Sequence, residues 1–196
     1  MKLVYLHGHG ASADSFNFID VALARSRGDI FMEYDSKNGF TENLGDMLEH
    51  LRGEFKVFFI AHSLGGLYAL HLAAELGQRV AGAVTMGTPY GGSESALALN
   101  FISPQRIYRD IHPTAWPITR GRQINLHDKP WTAIMSTKGH SQLMTAANDG
   151  VVTLASMQDR SGATFIPVES NHHEIIQSRH SLAIIRAAID HAQAAA

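Results

Sequence analysis

An α/β fold, with a mostly parallel six-stranded sheet and helices on both faces, is predicted by three features of the sequence. Six short apolar runs are spaced along the chain, helical patterns fall between them, and the runs are almost continuously apolar. Strand alternating with helix implies βαβ units. Unbroken apolar runs suit strands covered on both faces, as in parallel sheets. The strands are predicted at Lys2 to Leu6, Ile30 to Tyr34, Lys56 to Ala61, Val80 to Met86, Trp131 to Thr137 and Ala163 to Val168.

The helices follow from side-chain spacing. Phe16, Ile19 and Leu23 share one face of the first, and Leu44, Met47, Leu48 and Leu51 form an i, i+3, i+4, i+7 stripe. Leu64 to Leu76 is apolar almost all round, which predicts a central, well-buried helix. Leu182, Ile185, Ala188 and Ile189 give the last stripe. Right-handed crossovers then restrict the topology. With no repeat, low-complexity tract or linker, residues 1–196 read as one domain. The stretch from Gly91 to Pro130 is an exception to the regular pattern. It is long, holds Pro104, Pro113 and Pro117, and suits a cap or binding loop, with a short helix from Ser93 to Leu99.

Composition excludes several classes of function. The formal net charge of −2 gives no basic footprint for nucleic acid. The absence of cysteine removes disulfides, a thiol nucleophile and thiolate zinc sites. No stretch nears the ~20 apolar residues that span a bilayer, and the apolar run at Leu3 to Leu6 is too short for a signal segment. The expectation is a soluble, cytoplasmic protein without integral membrane association; oligomeric state is not legible.

Four motifs carry the chemistry. Ala61-His62-Ser63-Leu64-Gly65-Gly66 joins a buried strand to a buried helix. A serine hydroxyl is a weak nucleophile and must project from a sharp strand-to-helix turn to meet both base and substrate. That turn needs small residues two before and two after the serine, here Ala61 and Gly65. The Leu64 amide, at the helix N-terminus, suits an oxyanion. His7-Gly8-His9-Gly10 follows the first strand, where glycines let the backbone turn amides toward a substrate, that of His9 in particular.

Asn148-Asp149-Gly150 follows the fifth strand and offers a carboxylate to orient an imidazole. Asp128 is its rival but precedes that strand, at the opposite end of a parallel sheet. Asn171-His172-His173-Glu174 follows the sixth strand and offers the general base. Either histidine can serve; His172 is preferred, with His173 packed beside it and Glu174 at a helix start. The twelve histidines invite a metal reading through His7, His9, His172 and His173, but the carboxylates lack ligand-like spacing. No metal or cofactor is expected.

Together with Gly87-Thr88-Pro89, these motifs resemble the α/β-hydrolase superfamily, in particular its small lipase-like members, over nearly the whole chain. The Gly-Thr-Pro element is similar to one that lines the site in lipases and GPI inositol-deacylase-like proteins. The resemblance implies that Ser63, Asp149 and His172 are nucleophile, acid and base, and that His9 and Leu64 supply oxyanion amides. It also implies the strand order 2-1-3-4-5-6, a minimal α/β-hydrolase sheet in which the family's first two strands have no counterpart. Ala61 departs mildly from the usual first elbow glycine.

The implied activity is cleavage of a lipid or small carboxylic ester through an acyl-enzyme. A thioesterase or amidase with the same triad, or a non-catalytic binding scaffold, is the alternative. The expected substrate lining includes His7, Gly8, Thr88, Pro89, Tyr108 and Trp116. Phe101, Ile102, Ile107 and Ile111 would either join an acyl pocket or pack the segment onto the core. Arg106, Arg109, Arg120 and Arg122 would either bind an anionic substrate group or form a solvated face.

Overall fold

The computed structural model describes residues 1–24, 28–93, 105–126, 129–141 and 144–195. Strands β1 (Lys2–Leu6), β2 (Ile30–Met32), β3 (Val57–His62), β4 (Val80–Met86), β5 (Trp131–Ser136) and β6 (Thr164–Val168) form one sheet in the order β2-β1-β3-β4-β5-β6. Every neighbouring pair is parallel. Among the described residues the α-helices are α1 (Asn17–Leu23), α2 (Phe40–His50), α3 (Leu64–Leu76), α4 (Arg106–Asp110), α5 (Trp116–Gln123), α6 (Leu154–Gln158) and α7 (Arg179–Ala194).

Alternation along the strands builds two apolar layers, because successive side chains point to opposite faces. Val4, Leu6, Phe59 and Ala61 join Leu44 and Met47 of α2 and Leu67 and Leu70 of α3. Leu3, Tyr5, Phe58, Ile60, Val84 and Met86 join Ile19 of α1 and Ile185 and Ile189 of α7. All six residues of β3 are buried, which explains its unbroken apolar run. Helix α3 packs against the sheet, α2 and α5, so eleven of its 13 residues are buried. Pro167 lies in β6, an edge strand, where a missing amide is tolerated.

The structure shortens one predicted strand for a physical reason. β2 ends at Met32 instead of Tyr34. The Tyr34 ring stacks on His7 with centroids 4.0 Å apart, and its hydroxyl donates to the His7 carbonyl at 2.6 Å. These contacts take it out of the strand ladder. Elsewhere β1 and β4 have the predicted bounds, and the ends of β3, β5 and β6 differ by at most one residue.

The segment after β4 contains α4 and α5, which the sequence pattern did not indicate. Helix α4 is tied to α2: Asp110 accepts the Phe40 amide at the α2 N-terminus at 2.7 Å, and Arg106 pairs with Glu42 at 2.9 Å. A carboxylate there satisfies an orphan amide and complements the helix dipole. The buried Arg160 donates to the Gly121 and Ile124 carbonyls at the end of α5. The predicted helix from Ser93 to Leu99, the side chains of Phe101 and Ile102, and Asp128 lie outside the described residues. No helix among the described residues is long and apolar enough to cross a membrane.

A parallel sheet brings the carboxyl ends of its strands to one edge. The loops after β1, β3, β4, β5 and β6 therefore carry His7, Ser63, Gly87, Asp149 and His172 to the same side of the molecule.

Candidate active site

Ser63 sits between the last residue of β3 and the first of α3, at φ 51° and ψ −120°. Non-glycine residues rarely adopt this conformation. Its amide still reaches the Met86 carbonyl at 2.8 Å, so the turn begins while β3 remains paired with β4. The turn is tight because α3 starts directly against the end of β1. A Cβ at Gly65 would lie 2.1 Å from the Leu6 carbonyl oxygen and 2.6 Å from that of His7. Ala61, two residues before the serine, is buried among the apolar side chains of the α2 and α3 layer.

The Ser63 hydroxyl lies 2.9 Å from His172 Nε2, and His172 Nδ1 lies 2.7 Å from Asp149 Oδ2. All three side chains are nearly inaccessible to solvent. An ionised carboxylate only accepts, so Nδ1 carries the proton and Nε2 presents its lone pair to the hydroxyl. Asp149 is held from both sides. Oδ2 also accepts from Ser136, and Oδ1 accepts the amides of Val151 at 3.0 Å and Val152 at 2.7 Å. Burial alone would push this carboxyl up. The hydrogen bond from His172 and the attraction of its protonated form, with Ser136 and the Val152 amide, outweigh burial and hold it below its ordinary value.

The loop after β1 is braced by side chains. The buried His7 donates from Nδ1 to the Gly8 carbonyl at 2.8 Å, and the Gly10 amide donates to Ser36 Oγ at 3.0 Å. Tyr34 clamps the His7 carbonyl, as described above. Burial pushes its phenol well above the ordinary range, which keeps the donor proton in place. His9 Nε2 and the Tyr108 hydroxyl are 3.2 Å apart. Among the described residues, the amides of His9 and Leu64 have no hydrogen-bond acceptor within the protein. For Leu64 this follows from its place in the first turn of α3.

Residues 40–182 match the family model described as the alpha/beta hydrolase fold. The chain belongs to this family. A comparison with curated proteins finds no match. Among solved structures, the α/β-hydrolase chain is similar to Bacillus licheniformis lipase BlEst2 in mature form, with 17% identity, a TM-score of 0.69, and coverage of 95% of this chain and 90% of that one. It is also similar to a Paleococcus ferrophilus monoacylglycerol lipase, at 16% identity and a TM-score of 0.64, covering 97% and 93%. Phospholipase PlaB from Legionella pneumophila has a TM-score of 0.73 at 12% identity; the alignment covers 95% of this chain and 58% of that one. At these identities the likeness is one of fold.

The other residues singled out from the sequence are distributed unevenly around this α/β-hydrolase centre. Gly8 and Gly87 lie against it, at the Ser63 Cβ and the His172 ring respectively. The buried Thr88 sets its side chain against Gly66 at the start of α3, and Pro89 is buried beside it. Tyr108 reaches the centre through His9. Trp116 does not: it is half exposed and packs on His71, two turns along α3 from Ser63. Ile107 is fully buried in the core layer of α2 and α3, and Ile111 packs against the same layer.

Arg106 and Arg122 are engaged by Glu42 and Asp159. His173 is exposed and meets His172 edge-on at 5.5 Å, and Glu174 opens a single 3-10 turn. Among the described residues no three His, Asp or Glu side chains converge as a metal would require. A cleft of about 790 Å³ runs between Gly91, Met144, Val151 and Asp159, and Ser63 and His172 are not among its lining residues.

Sequence reasoning missed Ser136, Tyr34 and the contacts of His62. Ser136 is the last residue of β5, and a strand-end serine carries no pattern of its own. Tyr34 falls within the predicted second strand.

Proposed function

We propose that this chain is a serine hydrolase that cleaves carboxylic ester bonds of lipids or small esters. The observation that carries the reading is the unbroken line from the Ser63 hydroxyl through His172 to Asp149, at 2.9 and 2.7 Å, starting from a strained elbow. An incidental buried serine has no reason to sit at positive φ with an acceptor nitrogen facing its hydroxyl.

In the first step His172 Nε2 takes the Ser63 proton as Oγ bonds to the ester carbonyl carbon. The carbonyl oxygen becomes an oxyanion and accepts from the amides of Leu64 and His9. The carbonyl re-forms, the bond to the alcohol oxygen breaks, and His172 delivers the proton to the departing alcohol. Water, deprotonated by His172, then attacks the acyl carbon; as the bond to Ser63 Oγ breaks, His172 returns its proton to Oγ, releasing the acid and the free serine. Asp149 stays ionised throughout and stabilises the imidazolium. Low accessibility around the three side chains strengthens each of these interactions.

The test is a series of p-nitrophenyl esters from acetate to palmitate. Hydrolysis by the parent, lost in His172→Gln, is expected. A folded parent that hydrolyses no member of the series would overturn the reading. Tyr34→Phe is expected to lower kcat by about 3- to 10-fold with KM little changed, because the His7 carbonyl loses one clamp worth about 1 kcal/mol. Steady-state kinetics on the best ester of the series checks this.

A further inference from the structure

We propose that His62, the residue before the nucleophile, is a positioning residue for the base: its Nε2–H, donated to the main-chain carbonyl of His172, fixes where the His172 imidazole stands relative to Ser63. The proposal rests on the serine-hydrolase reading and assigns a role that this reading does not use.

His172 lies in a loop, beyond the end of β6 and before the 3-10 turn Glu174–Gln177. No regular ladder holds it, yet both of its main-chain polar groups are engaged. Its amide donates to the Asp149 carbonyl at 3.0 Å, and its carbonyl lies 2.8 Å from His62 Nε2. The three reacting residues are thus joined twice. One line runs through side chains from Ser63 to His172 to Asp149. The other runs through the His172 backbone, from the residue adjoining Ser63 to Asp149 itself. The rings of His62 and His172 also pack at 4.8 Å, tilted by 49°.

The tie has a defined chemical form. A carbonyl oxygen only accepts, so the bonding nitrogen of His62 must carry the proton. Nδ1 is then a bare lone pair, and it is buried without a hydrogen-bond partner. A Cβ at Gly8 would lie 2.9 Å from that nitrogen, so the loop after β1 leaves room for the ring only because residue 8 has no side chain. Burial, with the neighbouring His172, lowers the His62 pKa to about 3. The ring is therefore neutral where the hydrolase would work. It places no positive charge beside the imidazolium that forms on His172, and it does not compete for the Ser63 proton.

The test compares His62→Phe, which keeps a ring but has no donor, with His62→Gln, whose amide N–H reaches a similar distance. Each is titrated with a fluorophosphonate to count working sites, and kcat and KM are measured per titrated site on the best p-nitrophenyl ester. The expected result is a full count of sites in His62→Phe with kcat per site down 10- to 100-fold and KM within twofold of the parent. His62→Gln is expected to recover kcat to within about fivefold of the parent. Should His62→Phe fail to fold, His62→Leu serves as the donor-free variant.

Parental kcat per site in a donor-free variant would overturn the proposal. So would a loss confined to the number of sites, since a merely structural residue lowers the folded fraction and leaves each surviving site unchanged. An inert parent would instead overturn the serine-hydrolase reading on which the tie rests.

Discussion

Replacing Ser63 with glycine is expected to make the protein more stable while removing its turnover. The serine is held at φ 51° and ψ −120°, a region that costs a residue with a Cβ about 1–3 kcal/mol. Glycine enters this region freely, at an offsetting entropic cost of about 0.5–1 kcal/mol in the unfolded chain. The net expectation is a gain of about 1 kcal/mol, or about 2–4 °C in Tm for a chain of this size. Urea unfolding with an unchanged m-value measures it. The same substitution removes the nucleophile, and kcat is expected to fall by about 10⁵-fold or more, by analogy with triad deletions in other serine hydrolases. A variant less stable than the parent would mean that the elbow stores no strain.

The second large effect is expected from Asp149→Asn. The Val151 and Val152 amides would retain Oδ1 as their acceptor. That leaves the carboxamide NH₂ facing His172 Nδ1, which must then accept. The imidazole proton moves to Nε2, and the nitrogen facing Ser63 can no longer take its proton. An inverted tautomer of this kind costs about 10⁴-fold in kcat, with little change in KM.

A second readout is acid stability. The Asp149 pKa lies below its unfolded value of 3.8, so the carboxylate's contribution to stability is complete above about pH 4. It is lost as pH falls through the folded pKa. Urea midpoints at pH 5 and pH 3 are expected to differ less in Asp149→Asn than in the parent. A variant with parental kcat would remove Asp149 from the reaction.

Much of the architecture was legible because its signals are local and periodic. Unbroken apolar runs such as Val57 to Ala61 mark strands covered twice, and the all-round apolarity of α3 marks a helix enclosed by the sheet, α2 and α5. The candidate site was legible where a motif adjoins such an element. Ser63 lies at a strand–helix junction, and Asp149 and His172 follow the fifth and sixth strands in an order that the parallel sheet converts into proximity.

What remained hidden depends on contacts without periodicity. Tyr34 reads as strand, and only the fold shows its ring on His7. Ile107 and Trp116 read alike as apolar residues in an irregular segment. One faces the core and the other is half exposed, because a segment without a repeat does not reveal which side it turns inward. Ser136 and His62 act on residues 13 and 110 positions away, a separation that no local pattern encodes.

Intact-protein mass spectrometry after treatment with a fluorophosphonate tests the central claim most directly. One adduct per chain is expected, mapped by peptide sequencing to Ser63 and absent from His172→Gln. A folded parent that takes up no adduct, or one that carries it on a different serine such as Ser136, would contradict it.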